Sequence, residues 1–81
     1  MEDFIFELKI PKERIAILIG KNGEIKKQIE ESTNTQLEID SKEGDIFITG
    51  KDGLDIFSAK QIIRAIGRGF NPDLALQLFN E

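Results

Sequence analysis

Gly20-Lys21-Asn22-Gly23 is the stretch of this chain whose residue types and spacing best suit a chemical task. Two glycines three apart let the backbone turn through positive φ, since neither carries a Cβ that forbids it. They also leave no side-chain bulk between the main chain and whatever approaches it. The cation and small amide between them suit an anion better than a core. Before the turn, Ile15, Leu18 and Ile19 share one face of a short helix; after it, Ile25 and Ile29 sit four apart on a second. A helix that starts after Gly23 aims free N–H groups and the positive end of its dipole at this turn. Together these features make a cradle for phosphate, which points to a nucleic-acid-binding module.

The composition removes many other chemistries. The chain has 81 residues, enough for one small domain that buries roughly 60–65% of its unfolded surface. It has no cysteine and no histidine, so disulfides, thiolate metal sites, Ser-His-Asp or Cys-His catalysis and histidine proton shuttles are excluded. Absent cysteine fits a reducing compartment, the start MEDF does not read as a signal peptide, and no apolar run reaches a membrane span, so a cytoplasmic location is expected. Net charge is −4, which by itself argues against nucleic acid. The distribution argues the other way. From Lys12 to Lys27 five cations face two anions, giving +3, while the rest of the chain carries six cations and thirteen anions, giving −7. A basic patch on an acidic body suits short, site-limited contact.

The elements that must position the glycine turn follow from periodicity. Phe4, Phe6, Leu8 and Ile10 alternate with Ile5, Glu7 and Lys9 as a half-buried strand. Pro11 ends it and opens a helix over about Lys12 to Ile19, and a second helix covers about Gly23 to Glu31. Leu37 and Ile39 mark a second strand, Ser41 to Gly44 a tight turn, and Ile46 to Ile48 a third strand. Asp52 is placed to cap a third helix, whose stripe is Ile56, Ala59, Ile63, Ile66 and Phe70, with Gly67 or Gly69 as its stop. Asn71 and Pro72 cap a trailing helix to Asn80, with Leu74, Ala75, Leu78 and Phe79 on one apolar face. One sheet of three strands with all helices on one face accommodates this order. The core is then Phe4, Phe6, Leu8, Leu37, Ile39, Ile46 and Ile48 with the helix stripes, and most of the six phenylalanines are expected inside it. The absence of tryptophan and tyrosine disfavours an aromatic stacking platform; on an open sheet face only Phe47 could serve.

With Ile19-Gly20-Lys21-Asn22-Gly23 set between two helices in a β-α-α-β-β-α order, the sequence resembles a KH domain of the eukaryotic type, type I. The resemblance covers roughly Phe4 to Phe70 and implies an α+β fold with a three-stranded antiparallel sheet, three helices on one face and a short trailing helix. One departure stands out. The family pattern has apolar residues three and six after the second glycine, whereas Lys26 stands at three, with Ile25 at two and Ile29 at six. The runs GKNGEIKKQIEE, LEIDS and AIGRGFNPDLAL are similar to archaeal relatives of the eukaryotic partner-of-Nob-one ribosome-assembly factor. That resemblance implies two KH domains acting on small-subunit ribosomal RNA, of which this chain would match the first. Residues 1–70 would be the KH domain, and 71–81 a trailing helix leading to a second domain.

The resemblance also implies a grip on about four nucleotides of single-stranded RNA. Gly20 and Gly23 would allow close backbone approach, with Lys21 and Asn22 on phosphate and Arg14, Lys26 and Lys27 adding positive charge. Ile15, Ile19 and Ile29 would form an apolar floor, although plain core packing competes for each. Ile39, flanked by Glu38 and Asp40, would form the opposite wall, where base edges are read. A KH-type protein-interaction module of a ribosome-assembly or translation complex, its groove weak or idle, is the alternative, supported by the −4 charge. No enzyme is expected, because no nucleophile or base accompanies the carboxylates. No cofactor or metal is expected either; Asp40, Glu43 and Asp45 around the turn could hold Mg²⁺, but solvated hairpin charges explain them better. The chain should be a monomer, or self-associate weakly through the trailing helix.

Overall fold

Alternating apolar residues build a sheet with one dry face. In the computed structural model, which describes residues 3–77, β1 (Phe4–Lys9), β2 (Gln36–Asp40) and β3 (Asp45–Gly50) form one antiparallel sheet in the order β1-β3-β2. The register aligns Leu8 with Ile46 and Ile39, and Phe6 with Ile48 and Leu37. These two rows face the helices. The neighbouring rows, Glu7 with Phe47 and Glu38, and Lys9 with Asp45 and Asp40, fall on the opposite, open face, as a period of two requires. Three helices and a short fourth cover the dry face: α1 (Ile15–Ile19), α2 (Glu24–Thr33), α3 (Gly53–Gly67) and α4 (Pro72–Gln77). The expected α+β, type I arrangement of one sheet with helices on one face is what forms.

The core is aliphatic. Leu18, Ile29, Ile46, Ile48, Ile62, Ile63 and Ile66 are its largest fully buried side chains. The stripe of α3 is wider than the expected one, since Ile62 and Ala65 join Ile56, Ala59, Ile63 and Ile66. Asp52 caps this helix as its position suggests, accepting from the Leu54 N–H at 2.9 Å. Phenylalanine burial is a correction. Phe4, Phe57 and Phe70 are 57%, 50% and 53% exposed, while Phe6 and Phe47 are half-buried. Phe4 lies at the end of an edge strand opposite Gly50, where the helical cover runs out. Phe70 leaves the stripe because α3 has ended by Gly67, with the Gly69 and Phe70 N–H groups bonded back to Ile66 O and Ala65 O.

The trailing segment also differs from its expectation. Asn71 caps α4, its Oδ1 accepting from the Asp73 N–H at 2.8 Å, but the face that packs is Ala75 with the half-buried Leu76. Ala75 is fully buried in the core, whereas Leu74 points to solvent. The described part of this helix therefore has its partner within the domain. Leu78 and Phe79 lie outside the described residues.

Candidate nucleic-acid interface

Two connections fix the walls of the groove. The first is a 3₁₀ turn at Lys12–Arg14 that feeds α1 and aims its C-terminus at the glycine turn. The second joins α2 to β2. Asn34 takes a left-handed conformation at φ 55 and the Thr35 N–H bonds to Glu30 O, closing the helix end. The buried Thr33 hydroxyl lies 2.7 Å from Ile29 O and 2.7 Å from the Thr35 hydroxyl. Thr33 has one proton, so if it donates to Ile29 O the Thr35 hydroxyl must donate to Thr33. This short chain of hydroxyls pins the start of β2 against α2.

Between α1 and α2 the chain turns sharply at Lys21–Gly23, where Asn22, at φ 57 and ψ 26, and Gly23 are both left-handed. Gly20 adopts φ 77 and ψ 175, and a Cβ there would stand 2.5 Å from Ile25 Cγ1 and 2.9 Å from the Ile25 backbone nitrogen. Only glycine fits. Gly23, at φ 74 and ψ 17, is different, for nothing lies within 4 Å of a Cβ placed on it. Its backbone borders open space. Lys21 and Asn22 are exposed; the Gly23 and Glu24 N–H groups bond back to Gly20 O and Lys21 O, and no side chain caps α2 beyond them. An exposed cation, an open backbone and a positive helix end are thus gathered in one turn.

The apolar floor is narrower than expected. Ile15 and Ile29, both expected on it, are buried in the core because they point between the sheet and α3. Ile19 and Ile39 remain half-buried and pack against that core from its rim, as does Ile25. Ile25, two after the second glycine, supplies the apolar contact that Lys26 cannot.

Charged positions divide in the same way. Arg14 does not extend toward the loop. Its Nε donates to Ile66 O at 2.8 Å and its Nη2 to Phe70 O at 3.1 Å, satisfying carbonyls where α3 ends. Lys26 pairs with Glu30 one turn along α2, Nζ to Oε2 at 3.4 Å. Lys27 is exposed. Glu38 and Asp40 point to the open sheet face, away from the helices, and Asp40 Oδ1 accepts from the Lys42 N–H at 3.0 Å within the turn to β3. Asp40 does not join the wall that Ile39 forms, whereas Glu38 borders the cleft between α2 and β2 with Lys26 and Glu30. What β2 offers there is main chain: it is an edge strand, and the Leu37 N–H turns outward to Glu30 Oε2 at 2.8 Å. Since inward and outward amides alternate in an antiparallel pair, Ile39 presents its N–H and C=O on the same free edge. Glu30 is the residue of this site that the sequence reading missed. Its spacing from Lys26 was legible, but its bond across to Leu37 belongs to tertiary structure.

Helix, glycine turn, helix and free strand edge thus surround one groove, and the KH domain family model matches residues 5–65. The chain belongs to the KH family. KH domains bind RNA. This KH domain is 50% identical over 78 residues to a KH domain-containing protein of Methanocaldococcus jannaschii, covering 91% of the chain and 34% of that protein. It is 48% identical to Dim2p from Pyrococcus horikoshii OT3, whose crystal structure superposes with a TM-score of 0.90 over 96% of this chain and 49% of that one. In a complex of a/eIF2alpha, aDim2p and rRNA from the same organism, the matching chain is 47% identical with a TM-score of 0.90, over 98% of this chain and 47% of that one. The KH domain therefore spans between a third and a half of the length of these relatives. The narrower resemblance meets archaeal Dim2p, which is similar to the partner-of-Nob-one factor.

Proposed function

We propose that this KH domain grips about four nucleotides of single-stranded RNA, with the sugar-phosphate chain against Gly20 to Gly23 and base edges against Ile39, and that its target is small-subunit ribosomal RNA during ribosome assembly. The observation that carries the reading is the open backbone at Gly23, beside exposed Lys21 and Asn22 and the start of α2, which no side chain caps. The ribosomal target is supported by the 47% identity to a chain whose structure was solved with rRNA. The greater length of the same relatives supports a second domain in the whole protein. Among the described residues no helix is long and apolar enough to cross a membrane.

The test is titration of short single-stranded RNA while backbone amide shifts are followed by NMR. Shifts are expected at residues 20–27 and at Ile39. Replacing Lys21 and Asn22 with Asp leaves the fold intact, because both are exposed, and abolishes these shifts by like-charge repulsion. Unchanged binding by the double variant would remove the loop as the clamp.

A protein-docking role is the second reading, and one surface favours it. Phe4 and Ile5 on the β1 edge and Leu54 and Phe57 on α3 are exposed, and Lys60 Nζ lies 5.0 Å from the Phe6 ring centre and 5.4 Å from that of Phe57. This surface is separate from the glycine turn, so a protein could dock there with RNA in the groove. Shifts confined to this surface, with no RNA binding, would make docking the main function.

A further inference from the structure

Glu30 joins the two walls of the groove. Its Oε2 accepts the Leu37 N–H of β2 and is paired with Lys26 Nζ of α2, while the side chain stays 22% exposed. It opens on a cleft of about 820 Å³ between α2 and the start of β2, which Glu31, Gln36, Leu37 and Glu38 also border; of its carboxylates Glu30 is the one fixed to the β2 edge. Among the described residues Oε1 has no hydrogen-bond or ion-pair partner. The bond to Leu37 has two effects. It occupies the edge donor at Leu37, so that main-chain reading of a base is confined to Ile39. It also fixes an acceptor with spare capacity about 6.7 Å farther along the strand, two residues from the Ile39 edge.

A carboxylate held in this way sorts bases by their Watson–Crick edges. Cytosine and adenine each bring an exocyclic amine, and guanine brings an amine beside a ring N–H. Uracil has a single ring N–H between two carbonyl oxygens, and those oxygens are repelled by the carboxylate as the N–H approaches it. We propose that Glu30, held by Lys26 and Leu37, reads the base next to the one at Ile39 and rejects uracil there. This rests on the RNA-binding reading above and adds the class of base that one subsite accepts.

The experiment uses a cytosine-only RNA tetranucleotide and the variants in which one cytosine at a time becomes uracil, with affinities measured by NMR titration of the 81-residue chain. For the wild-type chain, uracil at one position lowers affinity about tenfold, the lower end of what one good base contact discriminates. Glu30→Gln keeps an oxygen for the Leu37 N–H and adds an N–H that can meet a uracil carbonyl. In that variant the penalty at the same position shrinks to less than about twofold, since the repulsion is gone. Uracil accepted as well as cytosine at every position would overturn the proposal, as it would mean that the Lys26 ammonium compensates. A penalty that survives Glu30→Gln would overturn it equally. Both of those results leave RNA binding standing, whereas failure of every tetranucleotide to bind a folded chain would remove the RNA reading itself.

Discussion

The two glycines of the loop should fail in different ways when given a methyl group. At Gly20 the backbone combines φ 77 with ψ 175, a region essentially closed to other residues, at a cost of about 1–3 kcal/mol. The added Cβ would also press on Ile25 Cγ1 at 2.5 Å and on the Ile25 nitrogen at 2.9 Å. The side chain could rotate away. The nitrogen belongs to the first turn of α2 and moves only if the helix moves, which adds the roughly 1–3 kcal/mol typical of overpacking. Gly20→Ala should therefore cost about 2–6 kcal/mol in all, a large share of the stability of a domain of this size. At Gly23 the left-handed conformation alone costs alanine about 1–2 kcal/mol, because the space around it is empty. Urea unfolding of both variants, followed by circular dichroism, measures the difference. The slope m should stay constant for Gly23→Ala, so that the midpoint shift alone reports stability. Equal losses within about 0.5 kcal/mol would refute the argument, since the loop would then tolerate both methyl groups by relaxing. Gly23→Ala should in addition weaken RNA binding, because its methyl group enters the space that phosphate would occupy.

Lys21 and Lys27 are exposed cations open to phosphate, whereas Arg14 and Lys26 are engaged with Ile66, Phe70 and Glu30. Two phosphate contacts predict a slope of log K against log salt near −1.4, at about −0.7 for each contact with single strands. Arg14→Gln should lower stability by about 1.5 kcal/mol through its lost charged hydrogen bonds, yet leave that slope unchanged; a shallower slope would make Arg14 a phosphate ligand after all. Ala75→Asp should cost more than about 3 kcal/mol by burying an unpaired charge, while Leu74→Glu stays within about 0.5 kcal/mol. A mild effect of Ala75→Asp would mean that α4 does not pack on α3 in solution.

Much of this architecture was legible because strands and helices write their periods into the chain. Leu8, Leu37, Ile39, Ile46 and Ile48 alternate and share the dry face, and Asp52 and Asn71 cap helices where their positions announce it. The glycine turn was legible because few sequences other than a sharp, open turn need that spacing. What periodicity could not give is how far the helices cover the sheet. Phe4 continues the strand pattern beyond the covered area, and Phe70 continues a helical pattern beyond the helix. Nor does sequence spacing show which cations are free. Arg14 lies six residues before the turn, but its guanidinium meets carbonyls more than fifty residues away in the chain. Glu30 looked like an ordinary helix carboxylate until the fold brought Leu37 beside it.

An acidic domain that holds an anion needs its charges sorted by face, and the sheet register does this. On the open face the rows put Glu7, Glu38, Asp40 and Asp45 beside a single cation, Lys9, whose Nζ is already 3.6 Å from Asp45 Oδ1. Phe47 lies between Glu7 and Glu38 in one of these rows, so a base could stack on its ring only by bringing phosphate near two carboxylates. The side that carries the loop has Lys21 and Lys27 exposed, and Glu30, which faces the cleft between α2 and β2, is tied to Lys26 and Leu37. Negative charge on the wrong face works as specificity does elsewhere, by making the alternative site repulsive. The net charge of −4 is therefore compatible with RNA binding provided that contact is short and confined to the groove. It also accounts for the modest salt slope predicted above, because a domain with a repulsive open face has few cations left to neutralise phosphate.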